Sequence, residues 1–237
     1  MKADTVVTWM AKQIEDGDVV ATGVASPLAI LAIALARATH APRLHYLACV
    51  GSLDPRVEEL HGSSEDLRYL DGRNAEITIP DLFDHARRGR IHTVFFGAAE
   101  VDGDGATNMS ASGSLGAPRT KFPGVAGASS LRRWVRRPIL VVPRQSRRAL
   151  VEKVQIASTA DARSTKLVTD LGVFEVGGSG AMLTGRHTWA TETDIEERTG
   201  FAYRAADALT VTQEPDAATL AALHALDPKN LRQSLVG

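Results

Sequence analysis

The chain has 237 residues, 44% of them hydrophobic, enough to bury a substantial core in one large α/β domain or a domain with an appendage. Its 27 Lys plus Arg nearly cancel 28 Asp plus Glu, leaving −1, which argues against recruitment by nucleic acid or by an anionic membrane. A single cysteine, Cys49, leaves no intramolecular disulfide, zinc ribbon or iron–sulfur pattern and suits a reducing cytoplasm.

Met1-Lys2-Ala3-Asp4 lacks the charged-then-apolar form of a signal peptide, and the longest apolar stretch, Pro27 to Ala36, is too short to span a bilayer. The expectation is a cytoplasmic protein without a membrane partner. Val6, Trp9, Met10, Gln13 and Ile14 recur at helical spacing, so Val6 to Glu15 reads as an amphipathic helix ended by Gly17-Asp18. Asp18 to Thr22 reads as a strand and Gly23 to Ser26 as a turn. Ser26-Pro27 is a helix start, Ser as N-cap and Pro at the first helical position. The helix Leu28 to Ala38 is apolar nearly all round, as befits an element buried against a sheet. Leu44 to Val50 forms a second apolar strand, and the strand–helix–strand unit makes the two strands parallel.

A third buried strand runs from His92 to Phe96. Later strand candidates are Pro138 to Val142, Val151 to Ile156 and Leu167 to Val176, the last turning through Gly177-Gly178-Ser179-Gly180 into Ala181 to Thr184. Short helices follow at Thr193 to Arg198 and Ala217 to Ala225. The mixture points to an open α/β fold, mostly parallel and flanked by helices, with a β-rich excursion in its second half, treated as one domain over 1–237.

In open parallel sheets ligands bind beyond the C-terminal strand ends. Three such ends carry small residues: Thr22 to Ser26, Cys49 to Ser52, and Gly97-Ala98-Ala99. A fourth small-residue loop is Pro123 to Ser129. Such loops let a ligand approach the backbone, and free N–H groups there can hold an anion; the plainer reading is that glycine marks tight turns. No Gly-x-Gly-x-x-Gly follows the first strand and no Walker-type Gly-Lys-Ser/Thr is present. The seven histidines do not cluster at metal-ligand spacing, so no metal is expected, and His187 reads as an exposed loop histidine.

Those loops also carry a resemblance. Gly23 with its helix, Ala38 to Pro42, Cys49-Val50-Gly51-Ser52-Leu53-Asp54-Pro55, Phe96 to Asp102, Gly105 to Asn108, Phe122 to Ala128, Thr169 to Phe174 and Thr199-Gly200-Phe201 resemble, in order, the β subunits of glutaconate CoA-transferases of the class I CoA-transferase superfamily. In those transferases a glutamate stands where this chain has Cys49, and that carboxylate becomes a glutamyl-CoA thioester. A cysteine cannot follow the route through an acyl anhydride.

The Ala48-Cys49-Val50-Gly51 run and the Ala- and Arg-rich composition look most like the β subunit of the ring-cleaving COCHEA-CoA hydrolase of steroid and cholesterol catabolism, a branch that has lost the glutamate. The resemblance implies a hydrolase or lyase-type subunit that opens the last steroid ring, as a CoA thioester, by carbon–carbon bond hydrolysis. It would be active only with an α-type subunit that supplies the catalytic carboxylate, as an α2β2 heterotetramer, without a cofactor beyond the CoA of the substrate. Alternatives are a CoA-transferase subunit moving CoA between carboxylic acids, and a non-catalytic sensor of acyl-CoA or sugar phosphate. No catalytic residue is assigned within the chain. Substrate and CoA binding is expected at Gly23, Cys49, Gly97, Ala98, Gly124, Val125, Gly127 and Ala128, with backbone donors at Gly97 to Ala98 and Gly124 to Ala128.

Several residues admit two readings. Cys49 is a nucleophile or, more simply, a small group lining the pocket. Arg132, Arg133, Arg136, Arg137, Arg144, Arg147 and Arg148 bind CoA phosphates, meet the partner or face solvent. Glu100 and Asp102 form an acid–base pair or serve as structural acceptors at the Asp-Gly-Asp-Gly turn. Neither is assigned a catalytic role.

Overall fold

A computed structural model describes residues 1–23, 26–161 and 163–237; Val24 and Ala25 of the expected turn lie outside the described residues. The elements run α1 (Lys2–Ala11), β1 (Val19–Thr22), α2 (Pro27–Thr39), β2 (His45–Ala48), β3 (Ser52–Leu53), a 3-10 turn (Leu67–Leu70), β4 (Ala75–Glu76), α3 (Ile79–Arg87) and β5 (Thr93–Gly97). Next come β6 (Glu100–Val101), β7 (Thr107–Asn108), β8 (Ala111–Ser114), β9 (Ala117–Lys121), α4 (Ala128–Trp134) and β10 (Arg137–Val142). The chain continues through β11 (Thr165–Thr169), β12 (Gly172–Val176), β13 (Ala181–His187), α5 (Glu192–Glu197), β14 (Tyr203–Thr212), α6 (Ala217–Leu226) and α7 (Arg232–Leu235). No described helix is long and apolar enough to cross a membrane.

The chain forms two compact units, and the first gathers Met1–Phe96, Trp134–Pro138 and Glu214–Val236. Its centre is parallel: β1 pairs with β2 on one side and β5 on the other, placing Ala21 opposite Leu47 and Val94. β3 and β4 add antiparallel to β2. The helix α2 opens at Pro27 as expected and buries every residue from Leu28 to Ala36, because α1 and α6 pack against it. The first helix begins earlier than its apolar spacing indicates, at Lys2. Asp4 in its first turn is buried beside Arg232, 2.6 Å away, which also takes Asp227 at 2.9 Å. It ends earlier too, since the N–H groups of Gln13 and Ile14 bond Met10 and Ala11 three residues back, tightening the last turn. Sequence periodicity missed α3, which Thr78 and Asp81 start with a reciprocal capping box.

The second unit holds Gly97–Arg133 and Ile139–Gln213 with Gly237. β11 pairs parallel with β10, β12 and β13 continue antiparallel, and β14 returns parallel to β13. Two small hairpins, β6–β7 and β8–β9, complete the β-rich second half that was expected. The expected strand Leu167 to Val176 is instead a hairpin of β11 and β12. The Thr169 hydroxyl accepts the N–H of Leu171 and of Gly172, closing the turn, and a side chain at Gly172 would meet the Gly185 carbonyl at 2.6 Å. The expected strand Val151 to Ile156 is irregular, because the N–H groups of Val154 and Gln155 go to the carboxylates of Asp102 and Glu100 rather than to a ladder.

Candidate functional site

In the first unit the parallel strands β1 and β2 end at Thr22 and Ala48, and the small residues the sequence singled out follow at once. Strand β2 stops before Cys49, short of the expected Val50. Cys49, Val50 and Gly51 turn the chain into β3, with the Gly51 N–H bonding the Ala48 carbonyl at 3.0 Å. Gly51 takes φ +102°, and a Cβ there would press on the Ile77 carbonyl at 3.0 Å, so this turn requires glycine.

The turn leaves Cys49 half-buried, its thiol donating to the Ser64 carbonyl at 3.3 Å. Burial pushes the thiol above its ordinary value, opposed only in part by hydrogen bonding to Ser64 and Thr22. The sulfur is therefore a neutral S–H at physiological pH, a proton donor rather than a ready nucleophile. Ser64 is fully buried. Its hydroxyl donates to the Gly23 carbonyl at 3.4 Å and accepts the Ser26 N–H at 3.1 Å. Beneath, Thr22 shares a 3.0 Å hydrogen bond with the Tyr46 hydroxyl, and burial raises that phenol so that it too stays neutral. Gly23 and Cys49 are thus brought together by Ser64, which sequence reasoning did not find. Its place, Gly62-Ser63-Ser64 in a long polar connection, carries no local signal.

In the second unit Gly97 ends β5 and Ala98 follows it. The loop before α4 divides the expected backbone donors. The Gly124 N–H is taken by the Met109 carbonyl at 2.8 Å and the Ala128 N–H by the Val125 carbonyl at 2.8 Å, so neither is free for an oxyanion. The N–H groups of Val125, Ala126 and Gly127 have no acceptor among the described residues. Ala126 between them sits at φ +42°, a left-handed conformation that costs an alanine about 1–2 kcal/mol. Consecutive N–H groups around such a residue form an anion-binding concavity, and unrelieved strain of this kind collects at functional loops.

Other candidates prove structural. Glu100 accepts from the Asn108 amide at 2.9 Å and the Gln155 N–H at 3.1 Å. Asp102 accepts from the Ala106 and Val154 N–H groups at 3.0 and 3.2 Å, fixing the Gly103 to Gly105 turn. The Arg stretch is not one surface. Arg132 is fully buried, with two guanidinium nitrogens on the Gly105 carbonyl, and Arg137 is bound to Asp18 and Glu15. His187, expected in an exposed loop, ends β13 and is completely buried. It donates from Nε2 to the Thr169 carbonyl at 3.0 Å and stacks on Trp189.

The family model for Coenzyme A transferase matches residues 4–195. The chain is 68% identical to a chain of the decarboxylase AibA/AibB in its crystal structure, with a TM-score of 0.98 over 100% of this chain and 99% of that one. The same decarboxylase has also been solved with a cysteine replaced by asparagine, valine, alanine or serine. One subunit of the 3-oxoadipate CoA-transferase of Pseudomonas knackmussii is 26% identical, covering 92% of this chain and 90% of its own. Glutaconate coenzyme A-transferase from Acidaminococcus fermentans shares the fold, with a TM-score of 0.86 at 21% identity over 100% of this chain and 97% of that one.

Proposed function

The chain belongs to the coenzyme A transferase family, and we propose that within it the protein is the β-type subunit of a two-subunit acyl-CoA decarboxylase. The observation that carries this reading is its 68% identity, end to end, with a decarboxylase chain rather than with a transferase. The site supports it. The transferases that the chain resembles work through a glutamate, and here a neutral, half-buried thiol stands in that place.

Decarboxylation next to a thioester calls for a defined set of groups. The substrate is the CoA thioester of a dicarboxylic acid, consistent with a curated relative named for 3-oxoadipate. Its free carboxylate sits on the α-carbon of the thioester, or on a saturated carbon joined to the thioester through one conjugated double bond. The carbon–carbon bond to that carboxylate breaks, CO2 leaves, and the electron pair runs into the thioester as an enolate. A proton then closes the carbon. Cys49 holds such a proton on a thiol aimed by Ser64, and solvent restores it afterwards. Within the second unit, the unpaired N–H groups of Val125, Ala126 and Gly127 are donors suited to an oxyanion. The CoA thioester itself is the electron sink, so the reaction requires no further cofactor.

The partner is an α-type subunit of the same family, in an α2β2 assembly, in keeping with curated relatives that are themselves named as subunits of larger enzymes. The ring-opening hydrolase reading uses the same sink for a different bond, with water adding to a ring ketone and Cys49 only filling the glutamate's place. Identity to a decarboxylase sets it second. The test is turnover by the co-purified complex of three CoA thioesters: a malonyl type, a glutaconyl type and a ring-ketone type. CO2 release from either dicarboxylic thioester is expected. Ring opening without CO2 release would reverse the choice.

A further inference from the structure

The ends of the strands opposite Cys49 carry a cavity of about 560 Å³ within the first unit. Val19 opens β1, His45 opens β2 and His92 precedes β5, and all three line it. Its floor is apolar, formed by Leu47, Leu53 and Ile77. Arg88, Arg90 and Arg136 bring positive charge to it, and His85 lines it with those two histidines.

The nearby carboxylates pair with part of this set and leave Arg90 and Arg136 without a counter-charge among the described residues. Asp84 is taken by Arg88 at 2.8 Å. Asp54 is shared between His45 at 2.8 Å and Arg37 at 2.7 Å, and Asp18 is bound to Arg137 and lies 3.8 Å from His92 Nδ1. The side chains of Arg90 and Arg136 have no hydrogen bond or ion pair with any described residue. His92 accepts the Val19 N–H on Nδ1 at 2.8 Å, so its Nε2 carries hydrogen and is a donor. Two unpaired guanidinium forks and an imidazole N–H thus share a cavity with an apolar floor and without a carboxylate among its lining residues.

We propose that this cavity is a binding site for a small organic anion: a carboxylate or phosphate monoester on a compact apolar body. Arg90 and Arg136 grip the anion as planar donors, which suits bidentate oxyanions. The body covers Leu47, Leu53 and Ile77, and the volume lies in the range of small-molecule pockets. A second ligand at the far ends of the strands that carry Cys49 gives the complex a place to sense anions other than its substrate.

The experiment uses the assembled two-subunit complex and the fluorescent sulfonate 8-anilinonaphthalene-1-sulfonate, an anion on an apolar body. Saturable binding is expected, weakened about 10- to 100-fold by the double variant Arg90→Glu, Arg136→Glu, the scale of losing charge-assisted hydrogen bonds. Both side chains are exposed, so the variant should melt like the parent. Octanoate and octyl phosphate are then compared as competitors. Stronger displacement by one names that head group, and equal displacement leaves the site general for small oxyanions. Absence of saturable binding, unchanged affinity in the double variant, or equal displacement by neutral octanamide would overturn the proposal.

Discussion

The Cys49 thiol points its hydrogen at the carbonyl oxygen of Ser64, 3.3 Å away, while the buried Ser64 hydroxyl ties the same segment to Gly23 and Ser26. One residue thus aims the sulfur and holds the loop beside it. The proton donor's direction is set by backbone that sequence spacing does not connect to it.

If Cys49 delivers the proton after CO2 loss, Cys49→Ala should lower kcat about 100-fold or more with little change in KM, the usual scale for a general acid. Cys49→Ser, a weaker acid, should fall between. Steady-state kinetics of the co-purified complex decide it. The hydrolytic reading expects the alanine variant to keep most activity, since water is then the reagent.

The loop at Val125 to Gly127 makes a second forecast. Ala126→Gly keeps the N–H and suits φ +42°, so activity should hold and the melting temperature should not fall. Ala126→Pro removes the N–H and cannot reach a positive φ. Turnover should then drop about 100- to 1,000-fold, the cost of an oxyanion donor. Thermal unfolding of both variants separates that loss from misfolding.

Stability should fall in two steps as pH is lowered. Burial holds the His187 imidazole below its ordinary value, so the unfolded chain binds its proton first. The stability it contributes is complete above about pH 6.5 and is lost as pH falls from there toward its folded value. Asp4 follows. Burial alone raises its carboxyl, but the N-terminal ammonium, Arg232 and Gln233 bring it down to about 2, from 3.8. Its contribution is present above pH 3.8 and lost as pH falls toward about 2. Denaturant midpoints measured from about pH 8 to pH 2.5 test both, and His187→Asn should flatten only the first step.

Arg232→Ala should cost about 3–5 kcal/mol, because it strands the buried carboxylates of Asp4 and Asp227 without a counter-charge. The same change should leave kcat of the folded complex alone. Urea midpoints and kinetics on one preparation report both.

What could be read in advance follows physical range. Strands β1, β2 and β5 and helix α2 are legible because each is a short, nearly uninterrupted apolar run, and burial on several sides leaves no other use for such a run. Turns closed by side chains are not legible. The Thr169 hydroxyl splits one apolar stretch into β11 and β12, and the carboxylates of Glu100 and Asp102 keep Val154 and Gln155 out of a ladder; in each case a polar atom overrides the period of the hydrophobic residues. At the site, Gly23 and Cys49 stood at recognisable strand ends. Ser64 did not, because its bonds reach 15 and 41 residues along the chain. The Gly124 to Ala128 stretch was placed correctly as a loop, but which N–H groups stay free is settled by the Met109 and Val125 carbonyls.

The bond between Asp4 and Arg232 spans 228 residues, and the unit it closes takes strands from the beginning of the chain and helices from its end. During vectorial synthesis the first unit must therefore wait. Its sheet emerges from the ribosome well before α6 and α7, which cover α1 and α2. Until then the apolar faces of α1 and α2 are exposed to whatever else is nearby, for as long as translation takes. A pause between α2 and α6, or a ribosome that stalls before Ala217, would leave a sheet with its helical cover unfinished, a natural client for chaperones and a natural seed for aggregation.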